Sequence, residues 1–194
     1  MAIGRPRQFD EDKSLNAAML QFWKYGYAST SMQDLLGATH LSKSSLYQSF
    51  GNKSKLFSSC LDRYQQQLIA DLEQQLSTSP SGMPFIENLL DRVISEVASS
   101  QRKGCLLVNT ANELAGLDRE IAKAVERGFS KIRNVIARAL IKAQQSHEIS
   151  KEMDVETMAD FLVSGISGLR TMVKSGASHE RLKCVSDMLL MSLK

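Results

Sequence analysis

Apolar residues recur three and four positions apart along almost the whole of this 194-residue chain, and nowhere do Val, Ile and Thr alternate with polar residues over the length of a strand. The first pattern places apolar side chains on one face of a helix, whereas the second would place them on one face of a sheet. The expected fold is therefore all-α, with about nine helices. With 43% apolar residues, 23% charged residues and only 3 prolines, the chain can fill a packed core and is not polar enough for disorder.

Capping residues and glycines divide this pattern into elements. A first helix starts at an Asp10 cap, carries Glu11 and Asp12 where the helix dipole favours acids, buries Leu15, Ala18, Met19, Phe22 and Trp23, and stops at Gly26. Thr30 followed by Gln33 reads as a capping box for a short second helix over residues 31 to 39. A third starts from a Ser42 cap and ends near Phe50, before Gly51. Asn52 then caps a long fourth helix whose stripe runs Leu56, Phe57, Leu61, Tyr64, Leu68, Leu72, Leu76. Residues 77 to 83 read as the linker, with Pro84 in the first turn of helix five. Helices six to nine are expected over about 105–114, 118–145, 155–174 and 178–193. The division into domains is expected at 1–52 and 53–194, joined through the fourth helix.

No apolar run approaches the roughly 20 residues that cross a bilayer, and the first residues carry no secretory signal, so a cytoplasmic protein with no membrane partner is expected. Cys60, Cys105 and Cys184 are widely spaced and odd in number, which argues against a disulfide framework or a zinc cluster. Cys60 and Cys184 fall on apolar stripes and are expected in the core. No cofactor or metal is expected. The net charge of +3 is uneven: residues 1 to 64 hold 8 Lys/Arg against 5 Asp/Glu, while the rest is balanced at 16 and 16. A basic head facing a polyanion fits that asymmetry.

Two short helices joined by a tight turn, with another packed beneath, form the geometry that lays a second helix in the DNA major groove. The third helix would present Lys43, Ser44, Ser45, Tyr47, Gln48 and Ser49 outward, with Leu46 and Phe50 inward. Thr30 and Lys53 stand at the starts of helices two and four, where backbone N–H groups attract phosphate. Helix spacing alone fits a solvated polar face equally well. The strings FDED (9–12), FWKYGYASTSMQDL (22–35) and LSKSSLYQSFGNKSKLF (41–57) carry more information. Over about residues 5 to 64, and above all in SLYxxFxxKxxLF, they resemble the N-terminal domain of TetR-family transcriptional regulators.

The resemblance implies an all-helical homodimer whose two heads read a palindromic double-stranded operator, and a body whose ligand moves the heads apart. It implies DNA contacts from Thr30, Lys43, Ser44, Ser45, Tyr47, Gln48 and Lys53. Gly-Arg-Pro-Arg at residues 4 to 7 resembles the basic arm of many members, from which Arg5 and Arg7 would reach the minor groove; the alternative is a plain tail. One departure lies in the turn, where members usually carry Gly or Ala and this chain has His40, with Gly37 inside helix two. Histidine tolerates the left-handed region better than most residues. It could also sense pH.

Resemblance fades after residue 64. Helices eight and nine are apolar on more than one face, as a helix with a partner would be, and the resemblance implies that they form a four-helix dimer bundle. The interface candidates are Phe161, Leu162, Gly165, Leu169, Met172, Val185, Met188 and Leu189, with Gly165 and Gly168 allowing close helix approach. RKGCLLVNTANELA (102–115) resembles a Gly-Cys-Leu segment of one TetR-like branch, some members of which respond to electrophiles or oxidants. Cys105 at a helix N-terminus beside Arg102 and Lys103 would favour a nucleophilic thiolate. The alternative is a small buried residue supporting a pocket. Asn109, Asn112 and Glu113 are effector contacts, exposed groups or caps for helix seven, and Phe129 is a further candidate for the effector pocket.

Other classes fit less well. His40, His147 and His179 are scattered, there is no phosphate loop or nucleophile elbow, and only Cys105 could serve as a nucleophile, so no enzyme is expected. A purely architectural DNA binder would leave a large neutral body without a task. A repressor released by a small-molecule or electrophilic effector is expected, with an activator of the same family or a thiol-dependent enzyme as the alternative; the residues do not name the effector.

Overall fold

The computed structural model describes residues 10–98 and 102–193. Among them it has nine α-helices, one short 3-10 turn and no strand. The chain falls into two compact units that meet between Tyr64 and Gln65.

The first unit, the head, contains α1 (Glu11–Tyr25), α2 (Met32–Thr39), α3 (Lys43–Phe50) and the first half of α4 (Lys53–Thr78). Asp10 caps α1 by accepting from the Asp12 and Lys13 amides at 3.1 and 3.2 Å, and Gly26, at φ 83°, ends it with its N–H on the Phe22 carbonyl. The core is Ala18, Met19, Phe22, Leu35, Leu46, Leu56, Phe57, Cys60, Leu61 and Tyr64. Leu15 and Trp23, expected inside, are only half-buried. Aromatic edges hold the helices together: Phe22 and Tyr27 each meet Phe57 at 5.0 Å, and Trp23 meets Tyr64 at 4.9 Å. Such pairs add about 0.5–1.5 kcal/mol beyond their burial.

Those contacts move the head's edge. The first turns of α4 supply Leu56, Phe57, Cys60, Leu61 and Tyr64 to the head's core, and Arg63 reaches back to α1, pairing with Asp12 at 2.6 Å and donating to Asn16. The division thus lies at 64/65 and not at the 52/53 expected from the caps: the start of a helix marks a change of direction, while packing decides which unit a residue serves.

The cap of α2 also differs from expectation. Ser31, not Thr30, is the cap, and Asp34, not Gln33, closes the box: the Asp34 amide donates to Ser31 Oγ at 3.1 Å and the Ser31 amide to the Asp34 carboxylate at 2.8 Å. The Ser31 hydroxyl, donating to the Asp34 carboxylate at 2.7 Å, and then the Ser31 amide hold that carboxyl below its ordinary pKa. Thr30 is fully buried, its hydroxyl donating to the Gly26 carbonyl at 2.6 Å. His40 closes α2 in the left-handed region, φ 54°, ψ 26°.

The second unit, the body, holds the rest of α4 with α5 (Gly82–Ser95), the 3-10 turn Glu96–Ala98, α6 (Leu106–Leu114), α7 (Arg119–Gln145), α8 (Val155–Lys174) and α9 (His179–Met191). Helix α4 continues through Thr78, so the expected linker shrinks to residues 79–81. That short connection is secured: Lys142 donates to the Ser79 carbonyl at 2.6 Å, and the Glu148 carboxylate accepts from the Ser81 hydroxyl and the Met83 amide. At Gly82 a Cβ would lie 2.0 Å from the Ala139 carbonyl oxygen, so only glycine lets α5 lie this close to α7. Helix α7 is capped by Asp118, not by Asn109, Asn112 or Glu113. Cys184, expected in the core, is exposed on α9, while Cys60 is buried as expected. Among the described residues no helix is long and apolar enough to cross a membrane.

Candidate nucleic-acid interface

The candidate DNA-reading surface is built on α3. Ser42 Oγ accepts from the Ser45 amide at 3.1 Å and lies 3.0 and 2.9 Å from the Ser44 and Ser45 hydroxyls, a hydroxyl cluster that fixes the helix start. Leu46 is fully buried and anchors the helix to the head's core; Phe50 is half-buried. Lys43, Ser44, Tyr47 and Gln48 are exposed, and Ser45 and Ser49 are half-buried at the edges of that face. Tyr47, 44% exposed, is a large aromatic group left facing solvent on an eight-residue helix.

Electrostatics separate this face from an ordinary polar one. Between Asp34 and Asp62 the chain has no acidic residue, while it carries Lys43, Lys53 and Lys55. The first turns of α1 and α2 hold acids, those of α3 and α4 none. Instead Lys43 opens α3 and Lys53 opens α4, cations at the positive end of each dipole, an arrangement unfavourable by some tenths of a kcal/mol up to about 1 kcal/mol each. An anion at those helix starts removes the conflict. The Lys53 ammonium lies 4.3 Å from the centroid of the Tyr27 ring, which fixes its stem beside the start of α4.

Of the candidate DNA contacts, Lys43, Ser44, Ser45, Tyr47 and Gln48 share this face and Lys53 stands at the next helix start. Thr30 does not: its buried hydroxyl is committed to Gly26, and the exposed hydroxyl at the start of α2 is Ser31. Arg5 and Arg7 lie outside the described residues. Ser31 and Lys55, exposed at the starts of α2 and α4, are not among the candidates that the sequence singles out, although Lys55 lies in the same acid-free stretch.

The body's candidates are scattered. A surface groove of about 310 Å³ between α7 and α8 is lined by Ala122, Val125, Phe129 and Val163 with Glu126, Ser130, Arg133 and Asp160; of the effector candidates it holds Phe129. Cys105 is 7% exposed at the N-cap of α6, Asn112 is exposed, Glu113 is half-buried, and Asn109 has both amide groups bonded within the body. Among the described residues no group of three or more His, Cys, Asp or Glu could hold a metal.

The interface candidates divide as well. Leu162, Leu169 and Leu189 are buried in the body's own core, and Gly165 admits Leu189 of the same chain, whose Cδ2 lies 2.4 Å from where a Cβ would be. Phe161 and Met188 are 46% and 65% exposed, joined by Met191 at 61%; Met172 and Val185 are half-buried. Gly168 faces open space.

A short helix presenting an acid-free, lysine-fronted face, packed after a left-handed turn, places the head among the helix-turn-helix DNA-binding domains. Comparison with known proteins agrees and extends to the body. The family described as bacterial regulatory proteins of the tetR family matches residues 15–60, and the tetracyclin repressor-like C-terminal domain matches residues 82–188. The HTH-type transcriptional repressor ComR of Escherichia coli is 31% identical over 192 residues, covering 96% of this chain and 90% of the relative. The HTH-type transcriptional regulator YezE of Bacillus subtilis is 28% identical over 190 residues, 97% of this chain and 98% of the relative. Among solved structures, a triple-cysteine mutant of the TetR-family regulator CifR, complexed with 26-base-pair operator DNA, superposes with a TM-score of 0.87 at 26% identity, covering 98% of this chain and 100% of that one. The chain belongs to the TetR family of helix-turn-helix transcriptional regulators.

Proposed function

We propose that this chain is a homodimeric repressor that acts in the cytoplasm, binds a palindromic operator with α3 in the major groove, and is released by a small-molecule or electrophilic effector bound in the body. The acid-free face of α3, with Lys43 and Lys53 at uncompensated helix starts, is the observation that carries the reading. Lys43, Lys53, Ser44 and Ser45 serve phosphates; Tyr47 and Gln48 reach base edges, glutamine pairing naturally with adenine. The operator bound in the CifR structure supports the choice of partner.

A two-fold dimer presents two α3 helices about one DNA turn apart, roughly 34–36 Å, or a multiple of it. Its surface on α8 and α9 is the exposed set Phe161, Met188 and Met191, with Met172 and Val185 at its margin. Aspartate at Phe161 and Met188 together turns the dimer into a monomer in sedimentation analysis; a dimer unaffected by both removes this surface from the reading.

The test of function is a footprint on DNA upstream of the chain's own gene. Two protected half-sites related by a palindrome are expected, with affinity falling steeply as salt rises because Lys–phosphate contacts release counterions. Uniform protection with no half-sites would replace the regulator reading with the architectural one.

A further inference from the structure

Asn109 ties three segments of the body together. Its amide nitrogen donates to the Lys103 carbonyl at 3.1 Å, and its amide oxygen accepts from the Lys174 ammonium, in the last turn of α8, at 2.9 Å. Residues 102–104 therefore run between α6 and the end of α8, bonded to α6 at Lys103 and packed against α8 at Gly104. The packing is close: Gly104, at φ 67°, leaves room for a Cβ only 3.2 Å from the Arg170 carbonyl oxygen and 3.3 Å from Lys174 Cβ. Arg102 donates to the Val97 carbonyl at 3.1 Å, and Arg170 pairs with Glu96 on the 3-10 turn. Cys105 follows the segment directly and is buried.

These named fastenings are polar, so water can take over each of them when the segment lifts, an exchange that the apolar side chains packed in α5, α7 and α8 do not have.

We infer that Asn109 is a latch and not an effector contact: with Lys174 it holds residues 102–104 closed, and its release is the conformational step by which the body lowers operator affinity. This rests on the repressor reading above. An effector that competes for either amide group, or a reagent that reaches Cys105, favours the open form and draws the equilibrium towards it.

The test uses the full chain carrying Cys184→Ser, which removes the exposed thiol; Cys60, deeply buried with its thiol pushed up to about 12, stays silent. The probe is 5,5′-dithiobis(2-nitrobenzoate). The Cys105 thiolate attacks its disulfide, forming a mixed disulfide and releasing coloured thionitrobenzoate while the thiol proton goes to buffer. Asn109→Leu keeps the bulk and removes both bonds; Lys174→Met removes one; Asn112→Ala, exposed on the same helix, is the control. Expected are a labelling rate about tenfold higher and operator affinity several-fold lower in Asn109→Leu, smaller changes of the same sign in Lys174→Met, and none in Asn112→Ala. Unchanged labelling in Asn109→Leu, or in Lys174→Met should the former not fold, overturns the latch. Faster labelling with unchanged operator affinity overturns its role as the switch. If the parent chain binds no operator, the repressor reading fails, and the labelling rates still decide whether the latch exists.

Discussion

The head and the body are made of the same helices but use their surfaces in opposite ways. In the head, every large apolar group on α3 turns inward except Tyr47, and the outward face is hydroxyls, amide and lysine. In the body, α8 and α9 bury Leu162, Leu169 and Leu189 and still expose Phe161, Met188 and Met191. A polar face with uncompensated positive charge asks for a polyanion; an apolar face on a helix whose other side is already packed asks for a second protein surface. The two units also differ in how they are stabilised. An aromatic cluster around Phe57 holds the head, while a long aliphatic core and glycine-permitted close approaches hold the body.

Breaking each unit separately tests that contrast, and the largest effect belongs to the head's core. Phe22→Ala removes a ring that is fully buried against Phe57 and costs about 3–5 kcal/mol. Circular dichroism melting is expected to show loss of the head's cooperative transition with most helical signal kept, and operator binding is abolished. Equal loss of the body's transition would show that the two units are one folding unit.

Next comes a change that leaves both units folded. Lys43→Glu gives α3 an acid where its dipole favours one, so melting stays level or rises slightly, yet a phosphate now meets a negative charge. Operator affinity is expected to fall about 100-fold, roughly 2.7 kcal/mol, by gel-shift titration. A fall in stability together with affinity would put Lys43 among the packing residues.

Gly82→Ala acts on the body alone. Its methyl would meet the Ala139 carbonyl at 2.0 Å, forcing α5 away from α7 at a cost of about 1–3 kcal/mol. The body's transition falls while the head's stays. The smallest effect, and of opposite sign, is at the turn: His40→Gly removes a left-handed strain on the order of 1 kcal/mol and raises the head's melting temperature by a few degrees.

The same contrast explains what could be read from sequence. In the head each helix start is written in short-range chemistry: Asp10, Ser42 and Asn52 cap as expected. Thr30 misled because Thr30-Ser31 offers two overlapping capping frames, and only tertiary packing turns the threonine inward. His40 could be placed because a left-handed position needs a residue that tolerates it. In the body, periodicity finds the helices but not which apolar face meets which neighbour. Leu189 and Met188 are adjacent in sequence and equally apolar, yet one is 5% and the other 65% exposed. Cys184, on an apolar stripe yet exposed, defeats the periodicity for the same reason. Asn109 looked like a group waiting for a ligand, since its partners Lys103 and Lys174 come from segments that spacing does not bring together.

The central claim, that the exposed face of α3 reads the operator, is tested most directly by titrating the wild-type chain and Gln48→Ala against the operator and a shuffled duplex of equal length at 0.15 M salt. The account predicts that the wild type prefers the operator by about 10³-fold or more, and that Gln48→Ala loses on the order of 1–3 kcal/mol of that preference while binding the shuffled duplex as the wild type does. An unchanged preference in Gln48→Ala, or an equal loss on both duplexes, would contradict it.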